Sequence, residues 1–134
     1  MRCIVDTNVF VSALLLPGSK PDQALRLARH TGTLLISFDL LAELYEVLTR
    51  PIFRPYLDDE DVHAFLAALA RESQWVEVDI RLTVCRDTKD NKLLELALSG
   101  RATHLVTGDS DLLALNPFRG IRIVTPDSFL RLLS

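Results

Sequence analysis

Four carboxylates occupy the places where a chain that alternates strands with helices must turn. Asp6 closes the apolar run Cys3-Ile4-Val5, and Asp109 follows Leu105-Val106-Thr107; Asp90 opens one helical pattern and Glu43 lies inside another. Brought together, such groups repel one another, and only protonation or bound cations relieve the repulsion. An all-oxygen donor set suits a hard ion, Mg²⁺ or Mn²⁺, rather than zinc. Ions of that kind polarise phosphate esters and generate hydroxide from water, so hydrolysis needs no protein nucleophile. No Ser–His pair, nucleophile elbow, phosphate-cradling glycine loop or dinucleotide fingerprint offers a competing chemistry.

The elements that must position these acids can be read from periodicity and punctuation. Arg2–Val5 and Thr33–Ser37 are short buried strands, separated by a buried helix over Val9–Leu16 and a second helix over Asp22–His30. Ser19 and Pro21 start that second helix and Gly32 stops it. A third helix spans Asp39–Thr49, and two prolines keep Pro51–Tyr56 out of regular helix. Asp58–Ser73 is amphipathic, with Val62, Phe65, Leu66 and Leu69 at helical spacing. A strand over Trp75–Val78, a helix over Asp90–Ser99, a strand over Thr103–Thr107, a short helix over Ser110–Leu115 and a strand over Ile121–Val124 follow. The last helix begins near Pro126-Asp127. This alternation predicts an α/β fold: a single three-layer α/β/α domain over residues 1–134 with a mainly parallel five-stranded sheet.

Parallel sheets bind ligands beyond the carboxyl ends of their strands, at the point where strand order reverses. If the strands preceding Asp6 and Asp109 are neighbours, both carboxylates face that crevice. Asp90 feeds the same edge. In the third helix Leu40, Leu41, Leu44, Val47 and Leu48 form the apolar stripe; Glu43 falls at its border and Glu46 on the solvent side. Simpler roles stand beside these. Asp6, Asp90 and Asp109 are each suited to cap a helix or sit in its first turn, worth about 1 kcal/mol. Asp87 competes with Asp90, since Asp87-Thr88-Lys89-Asp90 is itself a capping arrangement. Asp111 is either a solvated first-turn acid or a ligand at the rim. Asn8 is placed to hydrogen-bond Asp6 or a metal-bound water. Thr7, Ser37 and Thr107 either orient carboxylates or merely shape turns. Arg86, Lys89 and Lys92 either hold substrate phosphates or are ordinary surface charge.

Composition narrows the class of protein. With 134 residues, 49% apolar and 25% charged, a packed soluble domain is expected. No apolar run is long enough to cross a membrane. Met1-Arg2 leads straight into a strand, without signal-peptide architecture, which predicts a cytoplasmic address. Cys3 and Cys85 read as reduced thiols, and scattered His30, His63 and His104 give no zinc spacing. The net charge is −3, yet setting the four candidate acids aside leaves 14 acidic against 15 basic residues. Twelve of those fifteen are Arg, the side chain best suited to phosphate, so a nucleic-acid substrate is permitted.

The segments Ile4-Val5-Asp6-Thr7-Asn8-Val9, Ser37 through Glu43 to Val47-Leu48, Arg86-Asp87-Thr88-Lys89-Asp90-Asn91 and Leu105-Val106-Thr107-Gly108-Asp109-Ser110-Asp111-Leu112 together resemble the PIN-domain nucleases. Thr49-Arg50-Pro51-Ile52-Phe53 is similar to a turn of one toxin subgroup in that family. The resemblance implies a parallel sheet of about five strands and Mg²⁺- or Mn²⁺-dependent cleavage of RNA. It casts Asp6, Glu43, Asp90 and Asp109 as the acidic quartet with Asp111 as an auxiliary fifth. It also implies a small antitoxin partner and a homodimer. Two rival readings remain at this point. A haloacid-dehalogenase-type phosphotransferase shares the Asp after its first strand but needs a second two residues on, where this chain has Asn8. A non-catalytic binding or regulatory module would use the acids only as caps.

Overall fold

The computed structural model describes residues 1–133. The chain runs β1 (Arg2–Val5), α1 (Thr7–Leu15), α2 (Lys20–Thr31), β2 (Thr33–Ile36), α3 (Phe38–Leu48), a 3₁₀ turn (Pro51–Phe53), α4 (Asp59–Glu72) and β3 (Gln74–Trp75). It continues with α5 (Thr88–Ser99), β4 (His104–Val106), α6 (Ser110–Leu113), β5 (Arg122–Val124) and α7 (Pro126–Leu133). All strand pairs are parallel, in the order β3-β2-β1-β4-β5. The predicted α/β fold is the observed one.

Strand order explains the layers. The chain steps from β1 outward to β2 and β3, then returns past β1 to β4 and β5. Right-handed crossovers therefore put α1–α4 on one face and α5 on the other. Contacts agree: α1, α2, α3, α4 and α7 pack among themselves, while α5 lies on β1. Cys3, Ile4, Leu35, Ile36, Leu105 and Val106 are buried between the two helix layers, as expected for strands covered on both faces. No helix among the described residues is long and apolar enough to cross a membrane.

Local signals fix the helix starts. Ser19 accepts from Asp22 N, Ser37 from Leu40 N at 3.1 Å, and Asp58 forms a reciprocal capping box with Asp61. Gly100, which ends α5, sits in close quarters: a Cβ there would meet Leu35 Cδ1 at 2.9 Å and Leu96 O at 3.1 Å, so its neighbours would have to shift.

Two expectations need correction. The third strand is not Trp75–Val78 but the two residues Gln74–Trp75; only Val76 N, bonded to Ile36 O at 2.8 Å, continues the ladder. Residues 76–87 instead form an irregular strap. Asp79 N bonds Ser99 Oγ at 3.3 Å, Leu82 N bonds Glu95 Oε2 at 2.8 Å and Cys85 N bonds Asn91 Oδ1 at 2.8 Å. Asn91, Glu95 and Ser99 recur every four residues, so one face of α5 holds the strap by side chains where a neighbouring strand would have used backbone. The second correction follows from it. Asp90 does not open α5: the helix starts at Thr88 with Asp87 as cap, and Asp90 sits within the first turn, 5% exposed.

Candidate active site

β1 and β4 are neighbours, with Val5 opposite Val106, and between them the sheet reverses its order. Asp6 and Asp109 emerge at this switch point, as ligand sites of open parallel sheets do. A polar cleft of about 200 Å³ opens there, lined by Asp6, Asn8, Glu43, Arg50, Asp87, Lys89, Asp90 and Asp109 among others. The four predicted acids thus share one cleft.

Within it they are not equivalent. Asp90, Asp109 and Asp111 each offer a carboxylate oxygen within 4.8 Å of the others. Asp6 joins them through Thr107, a buried residue whose hydroxyl donates to Asp6 Oδ2 at 2.7 Å and accepts from Asp109 N at 3.0 Å. Glu43 lies on the α3 wall, where Thr7 Oγ1 donates to it at 3.1 Å and Lys89 Nζ stands 3.7 Å away. At the rim Arg86 bonds Asp111 at 3.2 Å. Asn8 is exposed on the cleft wall. Glu46, assigned to solvent, is exposed and paired with Arg50.

Capping separates the acids further. Asp109 Oδ1 accepts from Asp111 N and Leu112 N at 2.8 and 3.3 Å, so it does cap α6. Asp87 caps α5 through Lys89 N at 2.9 Å. Asp6 holds the N-cap position of α1 without a side-chain capping bond. Asp90 is not a cap either. Side-chain capping bonds therefore do not explain why these two acids are buried at 9% and 5% exposure.

Their electrostatics point to what does. Burial pushes the Asp6 carboxyl above its ordinary range; the Thr107 hydroxyl and the nearby Asn8 backbone amide oppose this, and Glu43 and Asp109 add to it. Burial, then the charges of Asp109, Asp87 and Asp6, push Asp90 up to about 6. The same field reaches Cys85, whose thiol is raised by burial and then by Asp90, Asp109 and Asp111. Carboxylates crowded to this degree are relieved by a hard cation, and the oxygen-only donors Asp90, Asp109 and Asp111 fit Mg²⁺ or Mn²⁺. A larger cavity, about 580 Å³, lies between α1, α2 and α4. Its charges are already matched, Arg26 with Asp22 and Arg29 with Glu72, and none of the four acids reaches it.

Sequence reasoning missed Asn91 and Glu95, both buried polar residues of α5. Their spacing from Ser99 was a signal, but nothing in the chain identified the strap they hold. Arg50 was read only as part of a turn, although it lines the cleft.

Comparison with known proteins bears on the fold and the family. An uncharacterized protein of Methanocaldococcus jannaschii is 32% identical over 117 residues, covering 86% of this chain and 75% of that protein. Two solved structures share the fold. VapBC2 from Rickettsia felis, crystallised bound to a DNA fragment from their promoter, aligns with a TM-score of 0.62 at 16% identity, covering 92% of this chain and 97% of that one. PAE2754 from Pyrobaculum aerophilum aligns with a TM-score of 0.63 at 19% identity, covering 98% and 89%. The profile of the PIN domain matches residues 2–111, from the first strand to the last of the clustered acids, and the chain belongs to the PIN domain family.

Proposed function

We propose that this chain is a divalent-metal-dependent endoribonuclease, a single nuclease domain acting as the toxin of a toxin–antitoxin pair. The observation that carries the reading is the convergence of Asp90, Asp109 and Asp111, with Asp6 and Glu43 on the walls of the same cleft. Asp90, Asp109 and Asp111 would hold Mg²⁺ or Mn²⁺, with Asp6 and Glu43 completing the acidic lining. Such an ion, when bound, supplies Lewis-acid charge to a phosphodiester and lowers the pKa of water.

The chain's own groups prepare the rest. Thr107 fixes the Asp6 carboxylate and, through Asp109 N, the start of α6, so two strand ends keep one spacing. Two backbone amides hold Asp109 Oδ1, which leaves its second oxygen to face the cleft. Lys89 and Arg86 are paired with Glu43 and Asp111, and together with Arg50 they put positive charge beside the acids. Such cations suit phosphates on either side of a cleaved bond. Asn8, exposed at the cleft, is positioned to hydrogen-bond water or substrate.

The toxin role and the antitoxin partner are supported by the fold shared with VapBC2, itself crystallised as a complex. A homodimer and a cytoplasmic location belong to the same reading. Phospho-aspartate chemistry is disfavoured, because the residue two after Asp6 is the exposed amide Asn8. The test is incubation of the pure protein with assorted RNAs and Mg²⁺ or Mn²⁺, beside Asp6→Asn and chelated controls. Cleavage that both controls abolish is expected. Cleavage that persists through chelation, or no cleavage of any RNA, contradicts the reading.

A further inference from the structure

Glu43 and Lys89 stand between two cavities. One is the acidic cleft; the other is a pocket of about 140 Å³ between α3 and α5, roofed by Val78 of the strap. Leu40, Leu93 and Leu96, all buried, make its floor apolar. Lys89 and Lys92 stand exposed beside it. Its other polar groups are the Ser37 hydroxyl and the carboxylates of Asp39, Glu43 and Glu95. Glu95 is 7% exposed; its Oε2 takes the Leu82 amide at 2.8 Å, while its Oε1 has Arg81 only at 3.8 Å, beyond hydrogen-bond length. A buried carboxylate with acceptor capacity left over favours a ligand that donates.

We propose, building on the ribonuclease reading, that this pocket seats one unpaired nucleobase of the substrate strand beside the scissile phosphate. Its carboxylate selects bases that carry an amino group, namely guanine, adenine and cytosine, over uracil. The apolar floor suits a planar ring, the lysines suit the phosphates that flank it, and the shared Glu43–Lys89 wall makes the pocket continuous with the cleft. Uracil has no amino group: its one free ring donor, N3–H, is flanked by two carbonyl oxygens that Glu95 would repel. Sites built to hydrogen-bond a substrate group discriminate strongly against analogues lacking it. A base must leave any duplex to enter, so the substrate at this position is single-stranded.

The test is a methyl NMR titration of the full chain with the four nucleoside 5′-monophosphates, without divalent metal. Shifts of the Leu40, Val78, Leu93 and Leu96 methyls are expected with GMP, AMP and CMP, and binding of UMP at least about ten-fold weaker. Glu95→Gln keeps an acceptor for Leu82 N while adding a donor, so UMP should gain relative to the other three. Val78→Phe, which fills the roof, should remove the response to all four. No methyl response to any nucleotide, or equal affinity for UMP, overturns the proposal even if Glu95→Gln fails to fold. Manganese-dependent RNA cleavage measured in parallel separates the two ideas. Cleavage without a methyl response removes the pocket alone, whereas a methyl response without cleavage removes the nuclease reading alone.

Discussion

The β1–α1 and β4–α6 junctions are built alike and use their aspartates differently. Each has a buried parallel strand and an acid at the helix N-cap, reached directly at Asp6 and after Thr107-Gly108 at Asp109. Asp109 caps its helix with one oxygen, whereas Asp6 leaves its helix uncapped and is held by Thr107 of the other junction. An acid that stabilises its own helix has a structural reason to exist. Asp6 and Asp90 have a weaker one: both are buried, both are raised by burial first and then by neighbouring charge, and neither makes a side-chain capping bond, although Asp90 adds first-turn charge to α5. Acids kept at a cost to the fold are where function is to be sought.

The contrast breaks most sharply on substitution. Asp6→Asn and Asp90→Asn should reduce metal-dependent cleavage by more than the roughly 10–100-fold typical of residues that only orient a ligand. The metal-free variants should melt no lower than the parent, because a repelled buried charge has gone. Paired activity assays and thermal melts check this, and a cooperative loss of stability in both variants would place these acids in the structural class with Asp109. Thr107→Val is next: removing the hydroxyl that links the junctions should cost about 10–100-fold in cleavage. It should also destabilise by roughly 1–3 kcal/mol, since Asp109 N loses its acceptor. Denaturant titration gives the second figure.

The pH response sharpens the comparison further. Asp90 binds its proton up to about 6 in the folded chain, against an ordinary 3.8. Between those values the folded state holds more protons than the unfolded one, so the stability this group contributes is full below about pH 4 and is lost as pH rises through 6. Metal-free melting temperatures should therefore fall over that window, and less so in Asp90→Asn. Added Mn²⁺ should reverse the trend, raising the melting temperature above pH 6 and not below it, because the carboxylates must ionise to bind. The smallest effects belong to the caps. Asp87→Ala and Asp109→Ala should each cost about 1 kcal/mol, and Asp109→Asn should keep most of that while still losing cleavage.

Much of this was legible in the chain. Strands covered on both faces are continuous apolar runs, so β1, β2 and β4 announced themselves, and Ser19 marked a helix start; Ser37, read as the end of a strand or a turn residue, is the cap of α3. The phase of α3 separated Glu43 from Glu46 correctly. The strap was not legible, because its order comes from Asn91, Glu95 and Ser99 on a helix that follows it, and their four-residue spacing does not say which segment they hold. The boundary of α5 was missed for a related reason. Asp87 and Asp90 are the same residue type one turn apart, and only the fold shows that the first makes the capping bond and the second is buried. That Asp90, Asp109 and Asp111 stand closest together, with Glu43 across the cleft beside a lysine, depended on strand register and helix orientation.

The most direct test of the central claim is an anomalous-difference map from crystals grown or soaked with Mn²⁺ at a pH above 6. A manganese peak bounded by the carboxylates of Asp90, Asp109 and Asp111 is expected at the mouth of the β1–β4 crevice. A map with no peak there at saturating Mn²⁺, or with manganese only at acids elsewhere on the surface, contradicts it.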